Sequence, residues 1–223
     1  MTDYTLPTSL APFIQSFYLQ PHVGRSESPF TRQQKIYELS APRWVCRVSI
    51  RGGYAGEGLR GKGAAMDGFI AKLAGGVNRV LVHDFRRPTP SIDIEEVTYD
   101  AGETFDGGET FYDDFQFGAN GAVAQGATEM SMTGCAPSKL LWRAGDYVGG
   151  DGRPHIVTDD VSSDASGNAV IPFRPPSQAA IEGGEAVLFY VRAPFRLVSD
   201  DAGANPTEVG APTVHDFELV EDL

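Results

Sequence analysis

Arg43-Trp44-Val45-Cys46-Arg47-Val48-Ser49-Ile50-Arg51, closed by Gly52-Gly53, is the stretch on which the fold turns. Trp44, Cys46, Val48 and Ile50 alternate with Arg43, Arg47, Ser49 and Arg51, the period of two that gives a β-strand one buried and one wet face. Beyond the glycines, Ala65, Met66, Phe69, Ile70 and Leu73 share one face at helical spacing. That spacing predicts a helix over 63–74, stopped by Gly75-Gly76. Asn78-Arg79-Val80-Leu81-Val82-His83 then reads as a second strand, so a strand–helix–strand unit forms the core of the first part.

Upstream, Pro7, Pro12, Pro21, Pro29 and Pro42 exclude a long helix, and residues 1–42 read as an extended, polar N-terminal arm. Within it, 13–19 is apolar enough to be a strand or to lie on a partner, and 35–39 alternates as a short strand. Downstream of Asp84 no helical pattern stands out. Arg86-Arg87-Pro88-Thr89-Pro90 reads as an extended connector, and 100–122, rich in Asp, Glu, Gly and Phe, as long loops. Strand candidates follow at 125–132, 140–142, 147–148, 155–160, 169–173 and 186–191, separated by Gly-, Asp- and Ser-rich turns. Short strands at that spacing indicate a β-sandwich or barrel. The tail alternates again at 195–198 and 214–220, as two strands returning to the first part would. The expected fold is mainly β: a barrel or split-barrel domain (43–97 plus 191–223) with one helix, carrying an inserted β-sandwich or barrel module (98–190).

Composition agrees. Of 223 residues 41% are apolar and 22% charged, as in a packed globular protein, and 26 Gly with 15 Pro exceed average usage and imply frequent turns. No run approaches the ~18 apolar residues of a membrane helix. Met1-Thr2-Asp3-Tyr4 lacks a basic n-region, so synthesis in the cytosol and a soluble product are expected. The net charge of −12 divides unevenly along the chain: residues 1–83 hold ten Lys/Arg and five Asp/Glu, residues 84–223 eight and twenty-five. So acidic a chain is poorly suited to wrapping nucleic acid. Opposite charge on two parts suggests copies that meet head to side in a salt-sensitive way, or simply two solvated surfaces.

Chemistry-bearing patterns are sparse. Cys46 and Cys135 have no Cys or His at metal-ligand spacing, and Cys46, inside the apolar run 44–48, reads as a buried inert thiol. There is no nucleophile elbow, and His22, His83, His155 and His215 are scattered, reading as surface or strand-edge residues. The glycine-rich 52–58 and Gly61-Lys62-Gly63 lack the phosphate-loop pattern. Acid pairs Glu95-Glu96, Asp113-Asp114, Asp159-Asp160 and Asp200-Asp201 are abundant without implying a catalytic pair. The run 159–168 has oxygen ligands enough for calcium but not the order of the known loop, and a hairpin turn explains it better. No cofactor and no metal are implied. Arg43, Arg47, Arg51, Arg60, Lys62 and Arg79 surround the strand–helix–strand unit, and a complementary acidic surface such as Glu95, Glu96, Asp113 and Asp114 makes them candidate interface residues. Tyr112, Phe115, Phe117, Trp142 and Tyr147, with Phe105 and Phe111, are candidates for an aromatic partner or ligand platform, or for a local core.

Four motifs occur in order: Leu140-Leu141-Trp142-Arg143-Ala144-Gly145-Asp146-Tyr147, Gly152-Arg153-Pro154-His155-Ile156-Val157, Asp160-Val161-Ser162-Ser163-Asp164-Ala165-Ser166-Gly167-Asn168-Ala169 and Phe173-Arg174-Pro175-Pro176. Together they resemble a family of tailed-phage minor tail proteins. The helix around 65–73, the strand after it and Phe195-Arg196-Leu197 look like that family's flanking segments, so the resemblance spans about 43–198 and leaves the arm and 84–120 unmatched. It implies a structural, non-enzymatic distal tail (baseplate hub) protein of the virion. Such a protein forms a homo-oligomeric ring, often of six copies, between the tail tube protein and the hub or tip proteins. It carries no catalytic residues over. A ring needs two different complementary patches on each copy. A second reading is a carbohydrate-binding β-sandwich that meets host surface glycan through exposed aromatics. A third is a tail-tip enzyme acting on surface polymer.

Overall fold

The computed structural model describes residues 1–7, 10–53, 61–90, 122–135, 137–183, 186, 189–204 and 213–223. Its elements in chain order are β1 (Asp3–Thr5), β2 (Ile14–Glu27), β3 (Gln34–Gly53), α1 (Gly61–Leu73), β4 (Arg79–Val82), β5 (Glu129–Met132), β6 (Leu140–Trp142), β7 (Tyr147–Val148), β8 (His155–Val157), β9 (Val161–Ser162), β10 (Ala169–Arg174), β11 (Ala193–Leu197) and β12 (Thr213–Glu221). Among the described residues the fold is mainly β with one α-helix, as the sequence patterns predict. The chain divides into unit 1, Met1–Arg86 with Arg192–Leu223, and unit 2, Arg87–Val191.

Unit 1 is a six-stranded sheet in the order β1-β4-β11-β12-β3-β2. The returning strands β11 and β12 separate the two strands of the strand–helix–strand unit. The buried face carries Phe17, Trp44, Cys46, Val48, Ile50, Val80, Val82, Phe195, Phe217 and Leu219. Phe17 stacks on Trp44 at 4.8 Å between ring centroids and meets Phe195 at 5.8 Å. Met66, Phe69 and Leu73 of α1, spaced i, i+3, i+7, are buried. Ala65, expected on that stripe, is exposed. Gly75 and Gly76, both at positive φ, end the helical stretch as expected.

Two expectations are corrected here. Residues 1–42 are no separate arm: β1 pairs in parallel with β4, and β2 pairs with β3 from Ile14 to Glu27. The prolines permit this because Pro7, Pro12 and Pro29 lie outside the strands, and Pro21 and Pro42 sit where their strand has one neighbour to satisfy. Pro21 lies in edge strand β2 at the register shift between Gln20 and His22, and Pro42 lies in the part of β3 beyond its last pair with β12, Val45↔Val220. The second unit begins at Arg87 rather than 98. The Arg87 guanidinium donates to the Gly145 carbonyl and the Tyr147 hydroxyl (2.7 Å to the latter) and lies 4.8 Å from the Tyr147 ring centre, while the Tyr190 amide donates to the Pro88 carbonyl.

Unit 2 contains a four-stranded sheet, β5-β10-β8-β7, and a two-stranded one, β6-β9. Ala169, Ile171 and Phe173 of β10 alternate inward and, with Met130, Met132, Leu141, Trp142, Val148, Val157 and Val161, build one core. The expected strand over 186–191 does not form among its described residues, because Tyr190 takes a positive φ that turns the chain out of the extended conformation.

Candidate functional site

The feature of unit 1 with no internal explanation is the far half of the β2–β3 hairpin. β12 covers β3 only from Val45 to Gly53, whereas the β2–β3 ladder continues to Glu27↔Gln34. From Gln20 to Glu27 the ribbon therefore runs about 23 Å past the sheet, at ~3.3 Å per residue. No third strand joins it among the described residues. Residues 29–41 are exposed throughout, including Phe30 at 94%, Ile36 at 60%, Leu39 at 53% and Tyr37 at 52%. The ribbon is nevertheless built. The Tyr37 ring closes over Gly24, its cross-strand partner, so tightly that a Cβ there would collide with it. The turn is tied by the Ser28 amide to the Gln33 carbonyl at 3.0 Å, and by the Arg32 amide to the Ser28 carbonyl at 2.9 Å. An isolated two-stranded ribbon is marginal in water, and this one spends its apolar side chains on solvent.

Sequence reading found the alternation at 35–39 but not the protrusion. Its signal is the combined length of β2 and β3 against the nine residues of β12, visible only when the pairing is known.

The predicted basic cluster is dispersed. Arg43, Arg47 and Arg51 share the solvent face of β3, but Arg47 pairs with Glu218 at 3.1 Å, Arg43 donates to Gln20 at 3.2 Å, and Arg51 lies 4.4 Å from the Phe13 ring centre. Arg79 sits towards the other end of the sheet, bound to Asp3 at 2.6 Å and Asp222 at 3.5 Å. Asp222 also takes Arg196 at 2.7 Å. These acids come from β1, β12 and the C-terminus, so unit 1 holds thirteen Lys/Arg and thirteen Asp/Glu, and the whole −12 resides in unit 2. The basic first part is thus neutralised by the strands that return to it. Arg60, Glu95, Glu96, Asp113 and Asp114 lie outside the described residues, as does the side chain of Lys62 in α1.

A shallow groove of about 570 Å³ crosses the solvent face at Ile14, Ser16, Arg47, Ser49, Asp216 and Glu218. Its charged groups are already matched, Arg47 to Glu218 and Asp216 to Ser49.

The aromatic platform is corrected for its two described members. Trp142 is fully buried in the unit 2 core and Tyr147 is buried under Arg87, so neither presents a ring face to a sugar. Tyr112, Phe115, Phe117, Phe105 and Phe111 lie outside the described residues. The histidines are corrected too: His155 and His215 are buried, and burial with the nearby Arg192 charge lowers the His83 pKa from its ordinary value. The 159–168 run contains a turn. Asp164 accepts the Asn168 and Ser166 amides at 2.8 Å each and the Asn168 side chain at 3.0 Å, which hold its carboxyl below the usual range. Burial pushes the Cys46 thiol up to about 12. Among the described residues no helix is long and apolar enough to cross a membrane.

No protein-family model matches the chain, and a search of the curated proteins finds no match.

Proposed function

We propose that this chain is a structural subunit of a phage tail, a distal tail or adaptor protein that assembles into a ring between the tail tube and the tip. The observation that carries the proposal is the ribbon of β2 and β3. Its exposed Phe30, Ile36, Tyr37 and Leu39 lack any covering element of their own chain among the described residues. A second copy that covers Phe30, Ile36 and Leu39 gains roughly 1.5–3 kcal/mol for each fully buried side chain. A reach of about 23 Å at ~3.3 Å per residue is enough to lie across a neighbouring domain. The contact is heterologous, ribbon against another surface, and heterologous contacts that close make rings. The four ordered turn motifs of unit 2, with their resemblance to tailed-phage minor tail proteins, supply the setting.

The test uses the full chain, with light scattering after gel filtration and negative-stain microscopy. The wild type is expected to form closed rings at high concentration. Phe30→Ser with Ile36→Ser and Leu39→Ser is expected to stay monomeric with unchanged melting. Antibody to the chain is expected to label the distal end of the tail on virions. A wild type that remains monomeric at all concentrations, or a triple variant that still forms rings, refutes the role given to the ribbon. Label on the head or the tube shaft refutes the placement.

A further inference from the structure

Unit 2 contains a buried ionisable pair. Asp151 and His155, in and after the loop between β7 and β8, have side chains with no solvent exposure, and Nε2 of His155 lies 2.9 Å from Oδ1 of Asp151. The other ring nitrogen, Nδ1, lies 2.7 Å from the Pro175 carbonyl oxygen. Both neighbours of the ring are acceptors. A neutral imidazole has one N–H and one lone pair, so either tautomer would aim a lone pair at an oxygen; the imidazolium alone satisfies both contacts. A proton on Asp151 instead is disfavoured by the rest of its shell. Oδ2 accepts the Gln178 amide at 2.7 Å and Oδ1 the Arg153 amide at 3.3 Å. Burial pushes this carboxyl up, but the His155 hydrogen bond and charge, with those two amides, hold it below its ordinary value.

Among the described residues the charged and titratable groups around the ring are these. Its own segment supplies Asp151 and the buried Arg153. β10 and the residues after it supply the Phe173 ring at 4.7 Å and the Pro175 carbonyl, with exposed Arg174 turned to the Phe173 carbonyl.

The pair ties loops to one another. His155 and Asp151 hold the 149–155 loop to the 175–178 segment. That segment is bound in turn to 123–127, through Ser177 amide to Ala127 carbonyl (2.9 Å), Gly126 amide to Ser177 carbonyl (2.9 Å), Ser177 hydroxyl to Ala124 carbonyl (2.7 Å) and Gln125 side chain to Gln178 carbonyl (2.8 Å). From this geometry we infer that Asp151 and His155 form a proton-operated clasp, closed over three loops of the inserted module while the ring carries both protons and released when it loses one. On release the ring keeps its remaining proton on Nε2, against the Asp151 carboxylate, and turns the Nδ1 lone pair on the Pro175 carbonyl, which loosens the 149–155 loop from 175–178. The inference concerns unit 2 alone and does not depend on the assembly reading.

The test is long-range ¹H–¹⁵N spectroscopy of the histidine rings in the full-length protein, with signals assigned by elimination in His22→Gln, His83→Gln and His215→Gln. Amide exchange at Gln178 and Arg153 is measured alongside, between about pH 5 and pH 9, across the range in which imidazole titrates. Both ring nitrogens of His155 are expected to show imidazolium shifts while the loops are closed. Protection at Gln178 is expected to fall at least about tenfold as the ring signals pass from imidazolium to neutral, the sign of an easier local opening. Asp151→Asn, whose amide can accept from Gln178 and either donate to or accept from the ring, is expected to abolish that pH dependence. A neutral-ring signature in the protected state overturns the clasp. Unchanged protection across the titration of His155 also overturns it.

Discussion

Gly167 offers a sharp test of how unit 2 is built. It has φ +77, and a Cβ there would come inside 3.0 Å of the Cys135 carbonyl oxygen, a backbone atom that cannot swing aside. Its own carbonyl accepts the Cys135 amide at 3.0 Å. In Gly167→Ala the left-handed conformation costs roughly 1–2 kcal/mol. Parting the two backbones adds the loss of that hydrogen bond, about 1 kcal/mol, and whatever steric strain remains, so about 3 kcal/mol is expected in all. Gly152→Ala is the control, because Gly152 has φ +87 but nothing within 4 Å of an added Cβ. It should cost the conformational term alone. The chain has two tryptophans, Trp44 in unit 1 and Trp142 in the unit 2 core, so urea unfolding followed by Trp142 fluorescence in a Trp44→Phe background reads unit 2 directly. With m of about 1–3 kcal/mol/M, the Gly167→Ala midpoint should drop by roughly 1 M or more. If the two alanine variants lose the same stability, the close approach to Cys135 contributes nothing and the reasoning fails.

Trp142→Ala should destabilise unit 2 by about 3–5 kcal/mol, read by calorimetry, because the whole ring is buried and its removal leaves a cavity. Hydrogen bonding from Arg196, opposed by some burial and helped by the Arg196 and Arg79 charges, holds the Asp222 carboxyl below its ordinary value. Its contribution is therefore present above about pH 4 and lost as pH falls through the lowered value; Asp222→Asn should flatten that acid limb in melting curves of unit 1. Cys46 should resist alkylation at pH 8 in the folded protein and react only on unfolding, which mass spectrometry of pulse-labelled samples reads. Because unit 1 is neutral and unit 2 carries −12, added salt should strengthen self-association by screening repulsion between acidic modules, and sedimentation at low and high salt measures the sign.

The salt prediction reverses the reading from residue order. Splitting the chain at 83 makes its first part basic, but Glu218 and Asp222, distant in sequence, return to sit on Arg47, Arg79 and Arg196. Charge counted along a chain is a poor guide to charge on a surface when the domain is discontinuous. The same discontinuity hid the ribbon, since 35–39 looks like any short strand until β12 is seen to stop at Val45. His155 was misread for a similar reason: the acceptors that bury it come from residue 151 and from residue 175.

What the amino-acid order determined by itself is what depends on neighbours within a few residues. The alternation at 43–51, the buried spacing of Met66, Phe69 and Leu73, the glycine stop at 75–76, the Asp164 turn and the alternation of two strands near the C-terminus were all legible. Which strand lies beside which was decided only by the tertiary structure. β-pairing joins residues as far apart as Arg47 and Glu218, 171 positions along the chain, and no local periodicity encodes that choice. The uncovered ribbon, the neutral first unit and the buried imidazole all follow from it.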